Sequence, residues 1–251
     1  MKASRIGKVN TNNYGSEMVI EEYHSAMDVI VMFDTGNLVR TTYERFKNGS
    51  VRNPYDPTVC EVGFIGEGIH KASKNGKLTR AYVTWNSMLN RAYSKKYHDR
   101  NPSYKDVTVC REWWNFQNFA EWFYNNYYKV DNEPMSIDKD ILVKGNKIYS
   151  PDTCVFVPER INSLVVKCNG SRGKLPVGVT FNKGNNKYQA QCANGKGEVI
   201  PLGHFDTSEE AFFIYKECKE NVIKEVADEY KGKIPERLHL TLINWKIEID
   251  D

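Results

Sequence analysis

The spacing of hydrophobic positions changes several times along the chain, and each change predicts a different kind of element. Up to about residue 70 the apolar residues fall in short runs. Met18-Val19-Ile20 and Val29-Ile30-Val31-Met32-Phe33 are rich in β-branched and bulky side chains. Asp34-Thr35-Gly36-Asn37 is a turn cluster leading to Arg40-Thr41-Thr42-Tyr43. Lys47-Asn48-Gly49 and Asn53-Pro54-Tyr55-Asp56-Pro57 follow as loops. Short strands this closely spaced predict a small antiparallel β barrel over residues 1–70, or an equivalent sheet. No helical pattern directly follows Gly63, Gly66 and Gly68, so they read as a tight turn and not as a phosphate cradle.

Residues 71–77 are polar and suit a linker. Beyond them the period lengthens: Trp85, Met88, Leu89 and Tyr93 share one helical face. After a polar loop, His98 to Lys105, comes a short strand, Val107 to Cys110. Trp113, Phe116, Phe119, Ala120 and Phe123 make a second helical stripe with Asn115 as its N-cap. Aromatic residues at this spacing predict core. Ser136–Leu142 and Cys154–Val157 then read as strands around the loop 143–152, and Pro158 opens a helix through Ile161 and Leu164. Residues 78–166 thus form a region of helices ending in strand, loop, strand and helix.

The basic stretch Lys167–Lys174 reads as a linker in which Arg172 and Lys174 can face phosphate. From Val177 the pattern is three strands, Gly178–Phe181, Lys187–Cys192 and Val199–Leu202, joined by glycine- and asparagine-rich turns. Thr207-Ser208-Glu209-Glu210 is a capping sequence for a long helix reaching about Tyr230. Residues 172–251 therefore form a third module, a three-stranded antiparallel sheet on one long helix, and the fold class is α+β.

With 40% apolar and 12% aromatic residues the chain has material for packed cores. Its net charge of +3, from 35 Lys and Arg against 32 Asp and Glu, neither requires nor excludes nucleic acid, so any basic footprint must come from clustering. No apolar run approaches the roughly 18 residues of a membrane span, and the first residues lack a secretory apolar segment. The six cysteines form no C-x-x-C pair. Reduced thiols in a cytoplasm, no structural zinc and no membrane partner are the corresponding expectations.

Candidate chemistry lies in two places. In the middle C-terminal strand Tyr188, Ala190 and Cys192 alternate with Lys187, Gln189 and Gln191, and the second set faces outward. Thr180 and Asn182 share that face, with Lys183 in the adjoining turn. Glutamine can bond adenine bidentately and lysine can contact phosphate or guanine, so the row suits double-stranded DNA. The pattern GV…KYQAQ…LGHFDTSEEAFFIY, Gly178 to Tyr215, resembles the ethylene-response-factor type of DNA-binding domain of plants and its relatives fused to phage HNH nucleases. That resemblance implies a sheet in the major groove with the helix packed behind it. The family reads bases largely with Arg and Trp, whereas the matching positions here include Thr180, Gln191, Val199 and Pro201.

The second place is SIDKDILVKGNKIYSPDTCVFVPERIN, Ser136 to Asn162, which resembles the HNH (ββα-metal) nuclease core of phage and intron homing enzymes. There a histidine ending the first strand is the general base, a divalent metal stabilises the leaving group, and a loop asparagine orients the histidine. Asn146 matches the loop asparagine, while Lys139 stands about where the histidine belongs. None of the five histidines falls in this window. A lysine flanked by Asp138 and Asp140 is no direct substitute for a histidine base. The alternation of Asp138 and Asp140 places two carboxylates on one side of a strand, where they could hold Mg²⁺; otherwise they form a solvent-exposed salt network with Lys139. Tyr82 to Phe123 looks like the helical stretch that precedes such cores, and the N-terminal segment like their leading Src-homology or Tudor-like barrel.

These resemblances imply a phage or prophage DNA-binding protein derived from a homing endonuclease, weakly or not catalytic, in a host cytoplasm. Two alternatives stand beside it. One is an active Mg²⁺-dependent endonuclease using Asp138, Lys139, Asp140 and Asn146. The other is an inhibitor of a host protein built on a dead nuclease scaffold.

Overall fold

The computed structural model describes residues 5–165 and 175–249, so Arg172, Lys174 and the rest of the basic stretch lie outside the described residues. The chain forms two compact units: residues 1–125 with 147–150, and residues 126–146 with 151–251. Each is α+β, and there are seven α-helices among the described residues.

The first unit begins with β1 (Val9–Thr11), β2 (Glu17–Ser25), β3 (Asp28–Phe33) and β4 (Leu38–Thr41), a sequential antiparallel meander. Period-two patterning puts Met18, Ile20, Val29, Val31 and Phe33 on one buried face. The expected barrel does not form. Among the described residues β1 pairs only with β2 and β4 only with β3, so the sheet stays open. Closure is unnecessary because α1 (Tyr43–Lys47), capped by the Thr42 hydroxyl, and Val51 cover the apolar face, with Phe46 buried against it. The sheet's far end is tied by a buried carboxylate: Asp56 accepts from the Asn12 amide at 2.7 Å, the Ser16 hydroxyl at 2.6 Å and the Asn53 backbone N–H at 3.1 Å.

Residues 71–77 are not an open linker. They run into a hairpin, β5 (Ser73–Lys74) and β6 (Lys77–Leu78), turning at Asn75-Gly76 with positive φ at both. α2 (Arg80–Tyr93) follows from a Thr79 cap, then α3 (Lys95–Arg100), β7 (Thr108–Val109) and α4 (Phe116–Asn126). The polar segment expected as loop is therefore partly helical. Trp85, Met88 and Leu89 are fully buried, as are Phe116 and Phe119, so the aromatic stripes are core. The Asn115 side chain caps α4 by accepting from the Gln117 N–H at 2.9 Å. Gly63 is required by packing, since a Cβ there would lie 2.4 Å from Leu89 Cδ1.

In the second unit β8 (Met135–Asp138) leads into the loop at Asp138. The four-residue stretch 147–150 belongs to the first unit, where β9 (Ile148–Tyr149) pairs in parallel with β7. The second unit resumes with β10 (Val155–Pro158), antiparallel to β8, and α5 (Glu159–Val165). The strand–loop–strand–helix order read from sequence is present, though β8 stops at Asp138 and Pro158 ends a strand rather than opening the helix.

Beyond residue 174, β11 (Val179–Asn182), β12 (Lys187–Ala193) and β13 (Val199–Phe205) form an antiparallel sheet in that order. α6 (Ser208–Glu229) packs on it, started by a complete capping box between Thr207 and Glu210. α7 (Glu236–Ile243) completes the unit. Val155, Val157, Ile161 and Leu164 of the β8–β10–α5 segment share one core with Val179, Ala190, Cys192, Val222 and Val226. Both candidate places thus rest on a single hydrophobic foundation.

Candidate nucleic-acid interface and the loop at Asp138

The loop after β8 is built around one side chain. Asp138 Oδ1 accepts from the backbone N–H of Asp140 at 2.9 Å and of Ile141 at 2.7 Å, an Asx turn that ends the strand. Asp138 and Asp140 are therefore not alternate residues of one strand; the turn brings their carboxyls together. Burial first, and then the neighbouring Asp140 carboxylate, push the Asp138 carboxyl up to about 6. Lys139 is buried, with its ammonium 3.3 Å from Asp140 Oδ2, so the expected salt contact exists between a buried lysine and a half-exposed carboxylate. Asn146 closes the loop by donating from Nδ2 to the Lys139 carbonyl at 2.7 Å.

These donors do not fit a dedicated Mg²⁺ site. Magnesium takes ionised oxygen ligands in near-octahedral geometry. Asp138 Oδ1 already accepts two N–H groups, while Asp140 carries a lysine ammonium. Among the described residues no group of three His, Cys, Asp or Glu side chains could hold a metal ion. None of the five histidines falls in this loop.

The sheet offers a different surface. The inner positions Val179, Ala190 and Cys192 are buried under α6, and burial pushes the Cys192 thiol up to about 12. The outer positions follow from the register. Thr180 lies opposite Gln189, and Gln189 opposite His204; Asn182 lies opposite Lys187, and Gln191 opposite Pro201. Thr180, Gln191 and His204 are exposed and Gln189 is half-buried. Among the described residues, the side chains of Thr180, Gln189, Gln191 and His204 make no hydrogen bond or ion pair. The remaining members are engaged: Asn182 Oδ1 accepts from the Gly184 N–H at 2.9 Å, and Lys187 pairs with Asp206 at 2.6 Å. Lys183 is exposed in the turn between β11 and β12.

Sequence reasoning missed His204. Simple alternation from Val199 and Pro201 would put Gly203 outward and His204 inward. A bulge intervenes: Ala190 faces Gly203 while Gln191 faces Pro201, so Leu202 is the extra residue and the phase of β13 inverts after it. The glycine at 203, with φ +120, was the available signal for a bulge.

The sequence around this sheet is locally basic, although Lys167, Arg172 and Lys174 lie outside the described residues and, of the rest, Lys187 pairs with Asp206 and Lys196 with Glu229. From Lys167 to Asp206 there are six Lys and Arg (Lys167, Arg172, Lys174, Lys183, Lys187, Lys196) against two acids, Glu198 and Asp206, a net +4 where the whole chain carries +3. Among the described residues no helix is long and apolar enough to cross a membrane. No protein-family model, no curated protein and no solved structure matches this chain.

Proposed function

We propose that the chain binds double-stranded DNA through the outer face of β11–β13, on an HNH-like scaffold with weak or no nuclease activity. The observation that carries this reading is that, among the described residues, Thr180, Gln189 and Gln191 on this face have no side-chain partner, within a stretch of sequence of net positive charge. Exposed polar groups on a sheet face are available to base edges and phosphates. The β8–β10–α5 arrangement, with Asn146 tied to the residue at the expected histidine position, supports descent from an HNH-type core. The spent carboxylates at Asp138 and Asp140 support the loss of cleavage.

Fluorescence anisotropy with a labelled mixed-sequence duplex tests the binding. Affinity is expected to fall steeply as salt rises, because phosphate contacts release counterions. It is also expected to weaken when Lys183 and Lys187 are both changed to Ala. Salt-independent binding, or none, would remove the proposal. Supercoiled plasmid incubated with Mg²⁺ or Mn²⁺ tests the second half: it is expected to stay intact, and nicking that disappears in Asp140→Ala would instead make the protein an active endonuclease.

A further inference from the structure

We infer that the duplex-reading element is the cross-strand row Thr180–Gln189–His204 together with Gln191, and that it selects A·T-containing major groove. This rests on the DNA-binding reading above and goes past it by naming the readers and the base pairs they prefer.

Width comes first. Neighbouring strands lie roughly 4.8 Å apart, so the row Thr180–Gln189–His204 spans about 10 Å, which fits a major groove about 12 Å wide and exceeds a minor groove of about 6 Å. The row is continuous only because the bulge at Leu202 returns His204 to the outer face, opposite Gln189. Availability comes second. Lys187 and Asn182 sit on the same face but are committed to Asp206 and the Gly184 N–H. Thr180, Gln189, Gln191 and His204 hold the polar groups left over, among the described residues.

Chemistry then selects the base pair. The amide of Gln189 or Gln191 offers a donor and an acceptor side by side, matching the N7 acceptor and N6 amino donor of adenine. The Thr180 methyl suits the thymine methyl, and a histidine N–H can donate to a purine N7. Guanine would present two acceptors to each glutamine and leave its carbonyl oxygen facing another acceptor. The occupant is duplex DNA rather than an acidic protein surface because Thr180, Gln189 and Gln191 carry neutral donor and acceptor groups suited to base edges while the exposed Lys183 stands in the adjoining turn, the division expected of base contact and phosphate contact.

The test uses the full chain and three duplexes of equal length. One has a central alternating A·T segment, one a central G·C segment, and the third is the A·T duplex with 7-deaza-adenine in that segment, which lacks only the major-groove N7 acceptor. Expected results are an affinity about tenfold higher for A·T than for G·C, a loss of most of that preference with 7-deaza-adenine, and a similar loss in Gln189→Ala and Gln191→Ala. His204→Ala is expected to lower affinity for the A·T duplex a few-fold. Equal affinity for all three duplexes with retained salt dependence overturns this inference and leaves general DNA binding intact. Failure to bind any of them overturns both. A preference unchanged by 7-deaza-adenine points to the minor groove or to DNA shape and also overturns it; this arm uses the unaltered protein, so misfolding of a variant cannot obscure the answer.

Discussion

The loop at Asp138 and the outer face of β11–β13 rest on the same core, yet they treat their polar side chains in opposite ways. In the loop, Asp138 caps two backbone N–H groups, Lys139 meets Asp140 and Asn146 holds the Lys139 carbonyl, so each group of chemical interest has a structural task. On the sheet, Gln189, Gln191 and His204 have none among the described residues. A polar group satisfied within the protein adds to stability and has less to offer a ligand; one left to water at the surface adds little to stability and stays available. The loop's polar groups therefore serve the fold, while those on the outer face of the sheet remain available to a ligand.

Disturbing the shared scaffold should give the largest effect. Gly178 has φ +75, and a Cβ there would lie 2.0 Å from the Tyr215 ring, so Gly178→Val should cost about 4 kcal/mol from backbone strain and overpacking. Urea unfolding would show the lowered midpoint, and DNA affinity should fall with it. Next, Asp138→Ala should cost roughly 2 kcal/mol by orphaning two N–H groups, with duplex affinity of the folded protein unchanged. A loss of affinity without a loss of stability would erase the contrast drawn above.

A finer probe is pH. The Asp138 carboxyl is raised in the folded state, so folding favours its protonated form. Its contribution is complete below about 4, the ordinary aspartate value, and is lost as pH climbs through about 6. Asp138→Asn keeps an acceptor oxygen for both N–H groups and cannot ionise. The variant should show a flatter stability profile across that window in urea titrations at several pH values. Smallest are the electrostatic changes at the sheet. Lys183→Ala should lower the salt slope of DNA binding by about one unit. Asp206→Ala should raise affinity modestly by freeing Lys187, because an exposed pair is worth at most about 1 kcal/mol.

The C-terminal module was the more legible part of the chain. Its strands and long helix follow from local signals, period-two alternation, Asn-Gly turns and the Thr207–Glu210 capping box, which require no distant partner. Where a distant or unexpected contact decides the outcome, the pattern misleads. Alternation carried a strand past Asp138, but the Asx turn ends it there. The N-terminal strands suggested a barrel, but Phe46 and Val51 cover the apolar face and leave the sheet open. His204 escaped because one extra residue, Leu202, reverses the phase of its strand. Asp138, Lys139, Asp140 and Asn146 stand out in the sequence as candidates, but their engagement in the Asx turn, the ion pair and the Lys139 carbonyl contact depends on the folded loop.

The two-residue strand β9 also bears on how the chain can be made. Tyr149 is buried in the first unit, and the backbone of 147–149 accepts hydrogen bonds from the N–H groups of Thr108 and Cys110, each at 2.9 Å. The first unit is thus complete only after residues 126–146, which belong to the second, have been synthesised. On a ribosome the N-terminal half must wait for a short piece of chain encoded beyond its apparent boundary. For the same reason, no single cut yields two intact halves, and a fragment ending at residue 125 would expose the edge that β9 normally covers.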